Sequence, residues 1–161
     1  MALNAYLTLQ AQTQGAIRGS VTQKGREGSI LVFGCWHGIV CPRDPASGQP
    51  TGKRAHKPFV IQKEVDRASP LLWSVLCNNE NVKEWKLQFY TPSPTGAEKQ
   101  HYTVRLVNAN IASITLKMAN NKNPKLMRFP EYEEVAFTYQ KIEWTWNEGG
   151  ITSDDDWEAP R

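Results

Sequence analysis

The chain has little of several things whose abundance would name a class. Cysteine is scarce: Cys35, Cys41 and Cys77 are an odd set of three in 161 residues. With no secretory leader in view, they read as reduced thiols rather than a disulfide framework. No run approaches the ~20 apolar residues that a membrane helix needs. The start, Met1-Ala2-Leu3-Asn4-Ala5-Tyr6, has neither a basic segment nor a long apolar one, so no signal peptide is expected. Charge of one sign is also scarce. The 19 basic residues against 16 acidic ones leave +3, which excludes a strongly basic nucleic-acid binder. There is no internal repeat and no low-complexity segment.

What is present suits one packed domain spanning residues 1–161. Hydrophobic residues make up 40% of the chain and include six tryptophans, too much apolar material for intrinsic disorder. The patterning is mostly that of strands. Leu3, Ala5, Leu7 and Leu9 alternate with Asn4, Tyr6 and Thr8, a period of two. Gly15, Gly19, Gly25 and Gly28 then punctuate turns. From Ile30 to Val40 the chain is apolar on both parities, with Ile30, Val32 and Trp36 against Leu31, Phe33 and Cys35. Such a strand is expected to be covered on both faces, and in a domain this small a second copy of the chain can supply the second cover.

A long loop is expected from 42 to 58. It carries Pro42, Pro45, Pro50 and Pro58, and Arg43, Lys53, Arg54 and Lys57 outnumber Asp44. A structureless loop of that length is usually functional or disordered. A strand over 59–65 leads to the one helix signal, with Ser69 as N-cap, Pro70 at the first helical position and Leu71, Leu72, Val75 and Leu76 on one stripe. Asn78 and Asn79 end it. Strand alternation resumes at Trp85, Leu87 and Phe89, and again from Tyr102 through Leu106 to Leu116, where Asn108 and Asn110 suggest one long strand with a polar kink. The apolar parity of Val135, Phe137 and Tyr139 switches before Ile142, Trp144 and Trp146, as a bulge or a passage between sheets would produce. An acidic tail, 152–161, holds Asp154, Asp155, Asp156 and Glu158. The expected fold is mainly β, a compact barrel or sandwich of two sheets with one short flanking α-helix.

Few groupings here suit chemistry. Cys35, His37, Cys41 and His56 are soft ligands within 22 residues, but no Cys-x2-Cys knuckle is present, and no metal or other cofactor is expected. Neither Cys35 with His37 nor Cys77 sits in a nucleophile turn, so no catalytic residue is assigned. Glu131, Glu133 and Glu134, like Asp154 to Asp156, read as solvated faces rather than a glycosidase pair. Trp85-Lys86 and Tyr139-Gln140-Lys141 would loosely suit an OB-like nucleic-acid or glycan module, yet Trp144, Trp146 and Trp157 lie among acids that repel phosphate.

Several short motifs in order resemble the Hcp family (haemolysin-coregulated protein), the tube subunit of bacterial type VI secretion. They are Arg26-Glu27-Gly28-Ser29-Ile30, Thr51-Gly52-Lys53-Arg54-Ala55-His56-Lys57-Pro58-Phe59 and Lys63-Glu64-Val65-Asp66-Arg67-Ala68-Ser69-Pro70-Leu71. Tyr139-Gln140-Lys141-Ile142-Glu143-Trp144-Thr145-Trp146, Gly149 and Asp156-Trp157 complete the set across nearly the whole chain. The resemblance implies a tail-tube-like β-barrel that assembles into hexameric rings stacked in a hollow tube, which a contracting sheath on a baseplate expels behind a spike protein. It implies effector proteins as cargo in the lumen, and a protein that is cytoplasmic during assembly and then secreted without a signal peptide. It implies a structural subunit rather than an enzyme, with no nucleic acid and no membrane insertion. The loop would reach the adjacent ring through Arg43, Asp44, Lys53, Arg54, His56 and Lys57, meeting an acidic patch such as 154–158. Ser29, Leu31, Phe33, Cys35 and His37 would line the lumen or a subunit interface. The chain ends soon after Trp157, so no toxin domain is expected to follow.

Overall fold

A computed structural model describes residues 2–159, and it contains twelve strands and one helix. The first strands are β1 (Ala5–Ala11), β2 (Gly15–Ile17) and β3 (Ile30–Trp36). Two short strands, β4 (Ile39–Val40) and β5 (Ala55–His56), pair only with each other. After β6 (Phe59–Glu64) comes α1 (Ser69–Cys77). The remainder is β7 (Val82–Pro92), β8 (Glu98–Val107), β9 (Asn110–Lys117), β10 (Tyr132–Thr138), β11 (Lys141–Trp146) and β12 (Ile151–Asp156).

The large sheet runs β12-β11-β8-β7-β1-β3-β6-β10-β9, with β2 added beside β1 and every pairing antiparallel. Its two ends are joined by the chain itself. The β8–β9 and β10–β11 connections both cross from one end of this order to the other. Backbone hydrogen bonds Val82 N–H to Ala109 O (2.8 Å) and Gln140 N–H to Val107 O (3.2 Å) hold that corner. The result is a barrel-like wrap around one core, and the parity switch after Tyr139 marks the passage between its halves.

Trp85 is the centre of the core, 1% exposed. It meets Phe59 and Phe137 edge to face at 5.1 and 5.5 Å, a geometry aromatic quadrupoles favour. Leu7, Ile30, Ile61, Leu87, Leu106, Val135 and Ile142 pack around it.

Four expectations change. The expected single strand from Tyr102 to Leu116 is two strands, because Asn108 turns the chain at a positive φ of 54°, a conformation asparagine tolerates better than most residues. In β9 the pairing with β10 slips so that Ala112 is extra. Ile111 and Ile114 therefore face the core while Leu116 is exposed. Ser69 is the first helical residue and not the cap, with Ala68 at the N-cap position; the Ser69 hydroxyl is engaged elsewhere, as described below. Pro70 is accordingly the second helical residue, one place later than expected, while the ending at Asn78-Asn79 stands as expected. Finally, the acidic stretch is largely strand β12, paired along its whole length with β11; Pro160 and Arg161 of the expected tail lie outside the described residues.

Candidate functional site

The 42–58 segment is an ordered hairpin arm, contrary to the structureless loop expected. Its base is the β4–β5 pair, with Ile39 opposite His56 and Val40 opposite Ala55. Further out, Thr51 N–H bonds Pro42 O (3.0 Å), Arg43 bridges to Pro50, and Asp44 N–H bonds Gln49 O (2.8 Å). Asp44 closes the tip. Its carboxylate accepts the Ala46 N–H and the Ser47 hydroxyl, both at 2.9 Å, and these bonds hold it below its ordinary pKa. Main-chain pairing of the Pro-flanked stretches supplies an order that composition alone does not predict.

At the root of the arm, polar groups from four distant places in the sequence converge. His37, in the link between β3 and β4, places Nε2 2.7 Å from the Tyr139 hydroxyl. His56 on β5 places Nδ1 2.8 Å from the same hydroxyl and Nε2 2.7 Å from Asp155 Oδ2. Arg54 donates from Nε to that carboxylate oxygen (2.6 Å) and from Nη2 to the Asp156 carbonyl (2.7 Å). The Phe59 ring stacks on His37 at 5.1 Å, and the Trp157 ring lies 5.6 Å from His56. Burial lowers the pKa of His37, with the neighbouring His56 adding to the effect. Hydrogen bonding by Arg54 outweighs burial and, with His56, holds Asp155 below the usual carboxylate range. Burial and the Asp155 charge push the Tyr139 phenol up, so it acts as a hydroxyl and not as a phenolate.

The loop residues therefore divide. Arg54 and His56 meet an acidic group of their own chain, Asp155. Arg43, Lys53 and Lys57 remain exposed on the arm. Sequence reasoning placed Tyr139 and Asp155 in a strand and a tail. No local spacing relates either to His37 or His56, since the partners lie 83 to 102 residues away.

The second candidate set divides too. The β3–β6 register slips between Val32 and Gly34, a bulge that breaks the alternation. Leu31 is partly exposed, Phe33, Cys35 and Trp36 are exposed, and His37 turns in to Phe59 and Tyr139. Ser29 is buried, its hydroxyl donating to Arg26 O (2.7 Å). Cys35, Cys41 and Cys77 are all exposed, unpaired thiols. Phe33 (45% exposed), Trp36 (48%), Ile39 and Val40 are thus exposed apolar side chains along β3 and the start of the arm, with Tyr132 of β10 edge-on to Phe33 at 5.8 Å.

Besides Asp155, a second acidic residue expected on a solvated face is buried. Glu133 accepts from Lys63 Nζ (2.8 Å), the Ser69 hydroxyl (2.6 Å) and Trp73 Nε1 (2.9 Å). Lys63 is fully buried and also reaches Asp66 at 3.1 Å. Burial opposes the Glu133 charge, but the bonds from Lys63 and Ser69 win and hold the carboxyl below its ordinary range. This cluster fastens α1 to β6 and β10. Neither it nor the arm root places an activated nucleophile beside oxyanion donors. Among the described residues, no group of three or more His, Cys, Asp or Glu side chains has the geometry to hold a metal ion.

Comparison with known proteins adds to this geometry. A family model described as type VI secretion system effector, Hcp, matches residues 6–146. The chain is 40% identical over 169 residues to the major exported protein of Pseudomonas aeruginosa, with 99% of this chain and 98% of that protein covered. Among solved structures, an Hcp protein superposes with a TM-score of 0.91 at 28% identity, covering 98% of this chain and 99% of the other. The Hcp1 protein of Escherichia coli EAEC 042 superposes with a TM-score of 0.86 at 31% identity, covering 97% and 99%. The secreted protein Hcp3 of Pseudomonas aeruginosa gives 0.79 at 32% identity, covering 97% and 99%.

Proposed function

The chain belongs to the Hcp family of type VI secretion proteins, and on that premise we infer that it is the repeating subunit of the secretion tube, a structural and exported protein rather than an enzyme. Copies close into a six-membered ring, rings stack into a hollow tube, and the tube is driven out by the contractile sheath behind the spike with effector proteins in its lumen. The observation that carries the ring is the outward apolar surface of β3 and the arm. Phe33, Trp36, Ile39 and Val40 stand exposed within eight residues of one another in the single chain, and exposed large apolar residues gathered in this way mark an interaction surface. A head-to-tail contact that covers it once per copy closes a ring when the rotation allows. The arm, whose strands pair apart from the large sheet and which exposes Arg43, Lys53 and Lys57, is the element suited to reach the next ring. Ser29, Cys35 and Cys41 are assigned no role.

The OB-like reading is not favoured. Much of the cationic surface on the strands is already neutralised: Arg105 pairs with Glu143, Lys141 with Glu143 and Asp154, and Lys117 with Glu134. Phosphates would have to displace those carboxylates. Size-exclusion chromatography with light scattering tests the reading. Six copies per particle is the expected outcome. A monomer at every concentration that shifts on adding an oligonucleotide would overturn it.

A further inference from the structure

The arm is fastened to the barrel by side chains that share one oxygen. His56 Nε2 faces Asp155 Oδ2 at 2.7 Å, so with a neutral imidazole that nitrogen carries the proton and Nδ1 carries the lone pair. The Tyr139 hydroxyl then donates to His56 Nδ1 and accepts from His37 Nε2. With both histidines neutral, the Tyr139 hydroxyl, both ring nitrogens of His56 and Nε2 of His37 each have a partner. One added proton is also accommodated. His56 becomes a donor on both nitrogens, the hydroxyl rotates, and it donates to a His37 whose remaining proton has moved to Nδ1.

A second proton has no such arrangement. Two imidazolium N–H groups would point at the same hydroxyl oxygen, each within 2.8 Å of it. The hydroxyl hydrogen would lose both of its acceptors inside a residue only 5% exposed. An orphaned buried donor is destabilising in itself, and the repulsion of the two charges adds to it. The surroundings offer one compensating carboxylate. From β12 comes Asp155, already held by Arg54 of the arm, while the Asp156 and Ala159 carbonyls take the Arg54 Nη2 protons. From the barrel come the Phe59 and Trp157 rings, which are not titratable. Lys57, at the arm's root, is exposed and adds positive charge.

We propose that the His37–Tyr139–His56–Asp155–Arg54 chain is an acid-operated latch on the arm, closed while the two histidines carry at most one proton between them and released when both are protonated. The latch stands on this geometry alone. Its consequence, rings that stack near neutral pH and part in acid, rests on the reading of the arm as the ring-to-ring element. The depressed pKa of His37 agrees in direction, since the closed arm prefers that imidazole neutral.

Hydrogen exchange of the purified protein at about pH 7.5 and about pH 5, corrected for intrinsic rates, tests the latch. The expected result is that amides of residues 38–58 exchange about tenfold faster or more in acid, while β1 and β7 keep their protection. In His37→Gln, whose amide offers hydrogen bonds near the Nε2 position but cannot ionise, the arm stays protected in acid. Equal arm protection at both pH values in the wild type, loosening spread over the whole barrel, or the same acid loosening in His37→Gln would each overturn the proposal. Should His37→Gln not fold, the wild-type comparison of arm against barrel decides alone. Light scattering on the same samples separates the two readings: a latch that opens in a chain that never forms rings leaves the latch standing and removes the tube.

Discussion

Single residues decide more of this fold than their exposure suggests. A Cβ on Gly19 would lie 2.4 Å from the Ser29 carbonyl oxygen and 2.8 Å from Ile30 Cα, both backbone atoms that cannot move aside cheaply. Gly19→Ala is expected to cost about 1–3 kcal/mol as an overpacking strain, read as a lower urea midpoint at fixed protein concentration. Gly34 is different. Its added Cβ would meet the end of the Gln62 side chain, which can swing away, so Gly34→Ala is expected to be the milder of the two. Lys63 and Glu133 are the other sensitive pair. Removing one partner of a buried ion pair strands the other, at about 3–5 kcal/mol. Asp66 still touches Lys63 at 3.1 Å, which places Glu133→Ala at the lower end of that range, again by urea unfolding. None of this was readable from Glu131, Glu133 and Glu134 as a charged run, because burial of the middle residue depends on which face of β10 the helix covers.

At the scale of elements, the arm and its anchor are separable from the barrel. Asp155 holds both Arg54 and His56, so Asp155→Ala removes charge-assisted hydrogen bonds worth about 1.5–3 kcal/mol. The expected outcome is roughly a 10- to 100-fold rise in hydrogen exchange over residues 38–58 at neutral pH, with the core strands unchanged. The pH dependence follows in sign from His37 and Asp155. Both have folded-state values below their ordinary ones of 6.5 and 3.8. The stabilisation each contributes is therefore whole above the ordinary value and is lost as pH falls through the lower folded one. Acid therefore weakens the arm in two steps, His37 first, and a pH series of arm exchange should show them in that order. The helix is attached through the Lys63–Glu133–Ser69 cluster instead and should not follow His37.

For the whole molecule the prediction concerns association. Trp36 is half-exposed at the end of β3 and lies outside the core cluster, so Trp36→Asp should leave strand content by circular dichroism intact while abolishing the six-copy particle in light scattering. A variant that keeps the ring would move the interface elsewhere. Salt offers a second discrimination. Arg54 pairs with Asp155 within its own chain, leaving Arg43, Lys53 and Lys57 exposed for the proposed contact between rings. Because exposed charges are screened over ~8–10 Å at moderate ionic strength and apolar contacts are not, raising salt should shorten stacks seen by negative stain before it opens rings.

Much of this protein was legible as a string of residues. Period-two alternation located β1, β7, β8 and β10, Pro70 and Asn78-Asn79 bracketed the helix, and the parity switch after Tyr139 marked a passage across the barrel. These are local signals, set by backbone geometry and by which side chains avoid water. The double apolarity of 30–40 likewise announced a surface that one chain leaves bare. The tertiary structure alone decided the rest. A bulge at Phe33 left Trp36 exposed beside Cys35, pairing with β11 turned an acidic tail into strand β12, and the histidines His37 and His56 met Tyr139 and Asp155 from 83 to 102 residues away. Such meetings depend on register and topology, which no periodicity along the chain encodes, because hydrogen bonds between distant strands are chosen by the packing of the entire barrel.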